Sequence, residues 1–122
     1  MDAKYEKSFY IYDLPKTINS IGRKHWAVKK KEAHRWHVLV LYCVSKHRPS
    51  KPLKKAKLHL IRFSTMSPDF DGLVSSFKHV IDGLVNARVL EDDKFSNIGQ
   101  PTYEWKKAKP KEGKIWVEIK ED

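Results

Sequence analysis

Residues 72–87 read Gly72-Leu73-Val74-Ser75-Ser76-Phe77-Lys78-His79-Val80-Ile81-Asp82-Gly83-Leu84-Val85-Asn86-Ala87. Leu73, Val74, Phe77, Val80, Ile81, Leu84 and Val85 fall at i, i+1, i+4, i+7, i+8, i+11 and i+12, which predicts one helix with a single apolar stripe. Asp71 stands where the N-cap of that helix would stand. Asp71, Lys78 and Asp82 are spaced i, i+7 and i+11. At about 100° per residue these positions return to within roughly 20° of one direction, so all three share a stripe beside the apolar face.

Working outward, Pro68 marks a turn before Asp69-Phe70-Asp71, and Leu58, Leu60, Ile61 and Phe63 predict a strand over about 54–63. Residues 28–46 predict a helix, with Ala33, Trp36, Val40, Cys43 and Val44 on one side. The β-branched stretch Val38–Val44 also suits a strand, and Pro49 and Pro52 close the segment. Residues 7–14 read as a strand and Pro15–Trp26 as a loop. C-terminal to the central helix come Val89-Leu90-Glu91-Asp92-Asp93, then a strand expected from about Phe95, with Gly99-Gln100-Pro101 interrupting it. Pro110–Gly113 reads as a turn, and residues 114–120 as a last strand with Ile115, Val117 and Ile119 on one face. The order β-α-β-α-β-β predicts a single α+β domain over 1–122, a mixed sheet packed with two main helices.

The 122 residues suffice for one core, and 40% hydrophobic content excludes a disordered tail. The net charge of +10 favours a polyanionic partner. Residues 1–62 hold 16 Lys/Arg and 4 Asp/Glu, a balance of +12, whereas residues 63–122 hold 9 and 11, a balance of −2. The first half reads as the gripping half. Its clusters are Arg23, Lys24, Lys29, Lys30, Lys31 and Arg35, then Lys46, Arg48, Lys51, Lys54, Lys55 and Lys57. Clusters of this kind contact phosphates and carry little sequence information. Cys43 is the single cysteine and lies on an apolar helix face, so an intrachain disulfide is excluded and a reducing cytoplasm is expected. The N-terminus lacks the apolar core of a signal peptide, and no apolar run approaches a membrane span.

Acids concentrated where the rest of the chain attracts phosphate point to a hard divalent metal. Mg²⁺, with Mn²⁺ as an alternative, binds carboxylate oxygens and leaves room for phosphate and water. If the chain folds back along the helix, Asp93 approaches Asp69 and Asp71, with Lys78 a turn or two further on. Each residue also has a plainer role open to it: Asp71 as a cap, Lys78 and Asp82 as an i,i+4 pair, Asp92-Asp93 as a solvated turn. His34 and His37, at i,i+3, lack the further ligands of a zinc site. Trp26 and Trp36 suit either the core or stacking on exposed bases.

Asp69-Phe70-Asp71-Gly72-Leu73, Lys78, Asp82-Gly83-Leu84 and Glu91-Asp92-Asp93 resemble the RusA-type Holliday junction resolvases of phages and prophages, whose pattern is D-x-D-N-L, a lysine, D-A-L, then D-D. Leu14-Pro15, Asn19 and His25-Trp26 opening into a basic helix are similar as well. Gly72 stands where that family usually has Asn, Ser64–Pro68 is less basic than in some members, and the gap from Asp71 to Lys78 is longer than in the shortest. The resemblance implies a small α+β homodimer in the cytoplasm of a bacterial host, cutting four-way DNA junctions symmetrically with Mg²⁺. It implies Asp69, Asp71 and Asp93 as catalytic acids, Lys78 as catalytic lysine, and Asp92 beside them in the metal set. An apolar dimer surface is expected from residues such as Trp36, Phe95 or Trp116. Two other readings stay open: a metal nuclease on other branched or single-stranded DNA, and a basic DNA-binding protein without catalysis.

Overall fold

The computed structural model describes residues 4–16 and 26–122. Within them the chain runs β1 (Glu6–Ile11), α1 (Trp26–Val44), β2 (Ala56–Ser64), α2 (Phe70–Ser76), α3 (Lys78–Asn86), the short α4 (Phe95–Ile98), β3 (Thr102–Lys107) and β4 (Lys114–Glu121). The strands form one mixed sheet in the order β1-β4-β2-β3. β4 pairs antiparallel with both β1 and β2, and β2 pairs in parallel with β3. A parallel pair needs a crossover, which α2, α3 and α4 supply. The α+β expectation with a mixed sheet holds. None of the helices is long and apolar enough to cross a membrane, among the described residues.

Alternation fixes which sheet face is covered. Ile115, Val117 and Ile119 are fully buried, while Lys114, Trp116 and Glu118 point the other way. The inward set packs with Leu58 and Leu60 of β2, Trp36, Val40 and Val44 of α1, and Phe77, Val80 and Leu84 around α3 in one contiguous core. The helix reading of 28–46 therefore prevails over a strand at Val38–Val44. α1 and α3 pack closely because Gly83 has no side chain: a Cβ there would stand 3.2 Å from Val40 Cβ.

Four sequence expectations are corrected. The single helix over 72–87 is two helices meeting at Phe77 (φ −92°, ψ 0°). The cause is local: Ser75 Oγ donates to Gly72 O at 3.1 Å and Ser76 Oγ to Leu73 O at 2.7 Å. Leu73 O would otherwise receive the Phe77 N–H, which instead donates to Val74 O at 3.2 Å. The N-cap is Asp69, whose Oδ1 accepts from Gly72 N at 2.7 Å, and Asp71 sits in the first turn. The strand expected from Phe95 is a helical turn. Asn97 N and Ile98 N both donate to Lys94 O, and Gly99 at φ 58° ends the turn, so Gly99-Gln100-Pro101 precedes β3 rather than interrupting it. Finally, Trp36 is fully buried, its indole Nε1 donating to Glu32 Oε1 at 2.9 Å, so it belongs to the core and not to a dimer surface or a base-stacking site. Phe95 stays 76% exposed and Trp116 is half-buried.

Candidate functional site

α3 ends in a tight reversal. Arg88 takes a left-handed conformation (φ 64°), and Val89 N reaches back to Leu84 O at 3.0 Å while Arg88 N donates to Val85 O at 3.1 Å. The chain then meets the segment before β2. Leu53 N donates to Val89 O and Glu91 N to Leu53 O, both at 2.9 Å, closing a parallel bridge between Leu53 and Leu90. These bonds fix where the acids after the helix emerge.

Asp92 Oδ1 accepts from Asp93 N at 2.7 Å, and Lys94 Nζ lies 3.8 Å from Asp92 Oδ2. Partial desolvation, a side-chain hydrogen bond with Asp92 and the charge of Asp82 push the Asp93 carboxyl above the usual aspartate range, against the opposing pull of Lys78. Lys78 opens α3 and holds its Nζ 3.6 Å from Asp82 Oδ1. Lys78, Asp82, Asp92 and Asp93 thus share one electrostatic neighbourhood. Lys78 and Asp93 line a cleft of about 400 Å³ with Ser75, Ile81, Phe95 and Tyr103.

Asp69 has one carboxylate oxygen engaged as the cap of α2, and Asp71 is exposed. Both suit the positive end of a helix. Asp71 precedes Val74 and Ser75, two walls of the cleft, by three and four residues, so it lies one turn above them on the same side of α2. No three His, Cys, Asp or Glu side chains among the described residues stand within reach of a single metal ion. The donor set still suits Mg²⁺. That ion is usually held by one or two carboxylates together with substrate phosphates and water, rather than by a complete protein cage. Asp93, exposed on the cleft, is the carboxylate that would contribute to such a site.

Lys29, Lys30 and Lys31 lie on the exposed side of α1, and Lys51, Lys54, Lys55 and Lys57 are exposed around the start of β2. Lys54 O accepts from Asn97 Nδ2 at 2.9 Å, which ties this second cluster to α4 at the edge of the cleft. Arg35 is already engaged: it pairs with Asp13, donates to Glu32 Oε1 at 2.9 Å and lies over the Trp36 ring at 5.0 Å. Arg23 and Lys24 lie outside the described residues. Cys43 is half-buried, and burial raises its thiol pKa, the setting of a structural cysteine.

Two features are not foreseen from the sequence, one lining the cleft and one buried on α1. Tyr103 packs on Phe77 at 6.0 Å between ring centroids, and burial raises its phenol pKa. Its signal was the alternation Thr102-Tyr103-Glu104-Trp105. Glu32 is a buried acid beneath Trp36 and Arg35. Burial pushes its pKa up, but hydrogen bonds from Arg35 and Trp36 outweigh that and hold the carboxyl below its ordinary range. No protein-family model and no curated protein matches this chain.

Proposed function

We propose that the protein is a Mg²⁺-dependent endodeoxyribonuclease acting on four-way junctions or related branched DNA, in keeping with its resemblance to the RusA-type resolvases. The observation that carries this reading is that Asp93 and Lys78, distant in sequence, line one cleft, with Asp82 paired to Lys78 at 3.6 Å. The exposed lysines before β2 stand near this opening through the Asn97–Lys54 hydrogen bond, where a phosphate backbone would lie.

Asp93, with Asp92 or Asp71, would hold the ion. When bound, Mg²⁺ polarises the scissile phosphate and lowers the pKa of attacking water. Lys78 faces the phosphate and balances the negative charge that grows on it. Asp69 stiffens the start of α2 and so orients Asp71. Lys51, Lys54, Lys55 and Lys57 hold the backbone at the cleft's edge, without reading sequence. The working unit is a homodimer, because two cuts at symmetric points need two sites and one chain of this size offers one.

The test is cleavage of end-labelled four-way junctions, flaps and single strands by wild-type protein and by Asp93→Asn, with Mg²⁺, Mn²⁺ or chelator. Paired symmetric nicks that need metal and vanish in the variant are expected. Metal-independent cutting, or binding without cutting, overturns the enzymatic reading. A preference for flaps or single strands moves the substrate away from junctions.

A further inference from the structure

The sheet's outward face carries a cluster that the cleft does not use. Tyr10 of β1 pairs across the sheet with Trp116 of β4, and Trp116 with Ile61 of β2. The Tyr10 ring lies 4.6 Å from Trp116, 6.1 Å from Phe63 and 6.0 Å from Tyr12, the last stacked at 28°. Lys114 sets its ammonium 4.7 Å from the Tyr10 centroid, 5.2 Å from Phe63 and 6.0 Å from Tyr12. Tyr12 is 78% and Tyr10 40% exposed, far more than core packing requires. Beside Tyr12 a second cleft of about 510 Å³ is bordered by Lys109, Lys111, Thr65 and Asp13, the last already paired with Arg35. The helices and the cleft lined by Lys78 and Asp93 lie on the opposite face, with the inward residues Ile115, Val117 and Ile119 between.

We propose that this face is a binding platform for unpaired nucleotides of single-stranded nucleic acid. Bases stack on Tyr12 and Tyr10, and phosphates lie along Lys114, Lys109 and Lys111. Flat exposed rings need free base faces, which a duplex keeps inside its stack, and rings interleaved with lysines are how single strands are held without sequence preference. Lys106 is paired with Glu104 at 3.8 Å, so the positive charge of this corner comes from Lys109, Lys111 and Lys114, against Glu112, in a chain of net charge +10. A second copy is a poorer occupant. A two-fold contact centred on Tyr10 and Tyr12 would bring Lys114 toward its own image, whereas a phosphate neutralises it. The platform is independent of the cleft chemistry.

Fluorescence anisotropy with labelled oligothymidylate, and with a duplex of equal length, tests it on the full chain. Tyr12→Ala and Tyr10→Ala/Tyr12→Ala should weaken oligothymidylate binding by about tenfold or more, the scale of one missing base stack, with duplex binding unchanged. Tyr12→Phe, which keeps the ring, should bind as wild type does. Tyr12 is exposed, so its removal leaves the fold intact. Circular dichroism and sedimentation of each variant accompany the titrations. Unchanged oligothymidylate affinity overturns the proposal, as does an equal loss for the duplex. A fall in sedimentation coefficient in Tyr12→Ala also overturns it, because the face then holds a second copy.

Discussion

Leu53 and Leu90 meet in a parallel bridge held by two backbone hydrogen bonds of 2.9 Å, Leu53 N to Val89 O and Glu91 N to Leu53 O. Both side chains are buried. The bridge carries Asp92 and Asp93 back toward α3, so the acid cleft depends on a pairing made outside it. Leu90→Ala should cost about 2–5 kcal/mol in urea denaturation, the usual range when a buried leucine is replaced by a cavity. The proposed cleavage should fall further than stability at the assay temperature explains, because Asp93 loses its anchor. Unchanged activity in a folded Leu90→Ala protein would show that the segment finds its place without the bridge.

Asp93 is an exposed acid whose surroundings set the sign of its effect on stability. Its folded pKa is raised, so the folded state holds the proton more readily than the unfolded chain does. Stability is therefore greatest below the unfolded value and falls as pH rises through the folded one. Asp93→Asn should raise Tm at neutral pH while reducing cleavage by about a hundredfold or more. Mg²⁺ should raise the Tm of the wild type more than that of the variant, by mass action on a site the variant lacks. Equal metal shifts in both proteins would remove Asp93 from the metal set.

Glu32 works in the opposite direction. Its folded pKa is lowered, so its contribution is present above the ordinary glutamate value and is lost as pH falls through the folded one. Glu32→Gln keeps an acceptor for Trp36 Nε1 but loses the charge facing Arg35. Acid titration of Tm should show a steeper loss in the wild type than in the variant. Parallel curves would mean that Glu32 serves only as a neutral hydrogen-bond acceptor.

Gly83→Ala opposes two effects of known size. Alanine in a helix interior gains about 0.5–1 kcal/mol over glycine. Here its Cβ would press on Val40 Cβ and Cγ2, each at 3.2 Å, and those atoms belong to a stiff, fully buried side chain. Overpacking typically costs about 1–3 kcal/mol, so a net loss near 1 kcal/mol is expected in chemical denaturation. A gain would show that α1 and α3 separate freely at this point.

The residues that gave themselves away were those whose neighbours in sequence are also neighbours in space. The stripe from Leu73 to Val85 and the alternation Ile115, Val117, Ile119 placed a helix and a strand because burial follows local period. Phe77 interrupts the first because two serine hydroxyls compete for carbonyls, and paired serines inside an apolar period still read as helix. Phe95 and Ile98 carry strand propensity, yet Lys94 and Gly99 set the backbone of a helical turn. The acids read in sequence as one set around Asp69, Asp71 and Asp93, yet among the described residues the fold brings no three of them within reach of a single ion. Asp93 lies in the field of Asp82 and Lys78 because of where Leu53 holds Leu90, a pairing no local pattern encodes. Arg35 reads in sequence as one more phosphate-binding cation, and only the fold reveals Asp13 and Glu32 around it.

The basic segment before β2 yields the last expectation. Lys54 and Lys55 are exposed, and Lys57 keeps only a distant pairing with Asp122 at 3.9 Å. Such a pair contributes little in water, so these ammonium groups can exchange it for phosphates at small cost. The tie between Asn97 and Lys54 O keeps the segment beside the cleft rather than swinging free. A triple replacement, Lys54→Gln, Lys55→Gln and Lys57→Gln, should weaken binding to every duplex and junction alike. It should also flatten the plot of log affinity against log salt by about 0.9 for each phosphate no longer neutralised. Folding should be unaffected, since each side chain points into solvent. Salt-titrated anisotropy on a duplex and a four-way junction measures both quantities. An unchanged slope would make the cluster a solvated surface, and a loss confined to the junction would give it a part in recognising shape.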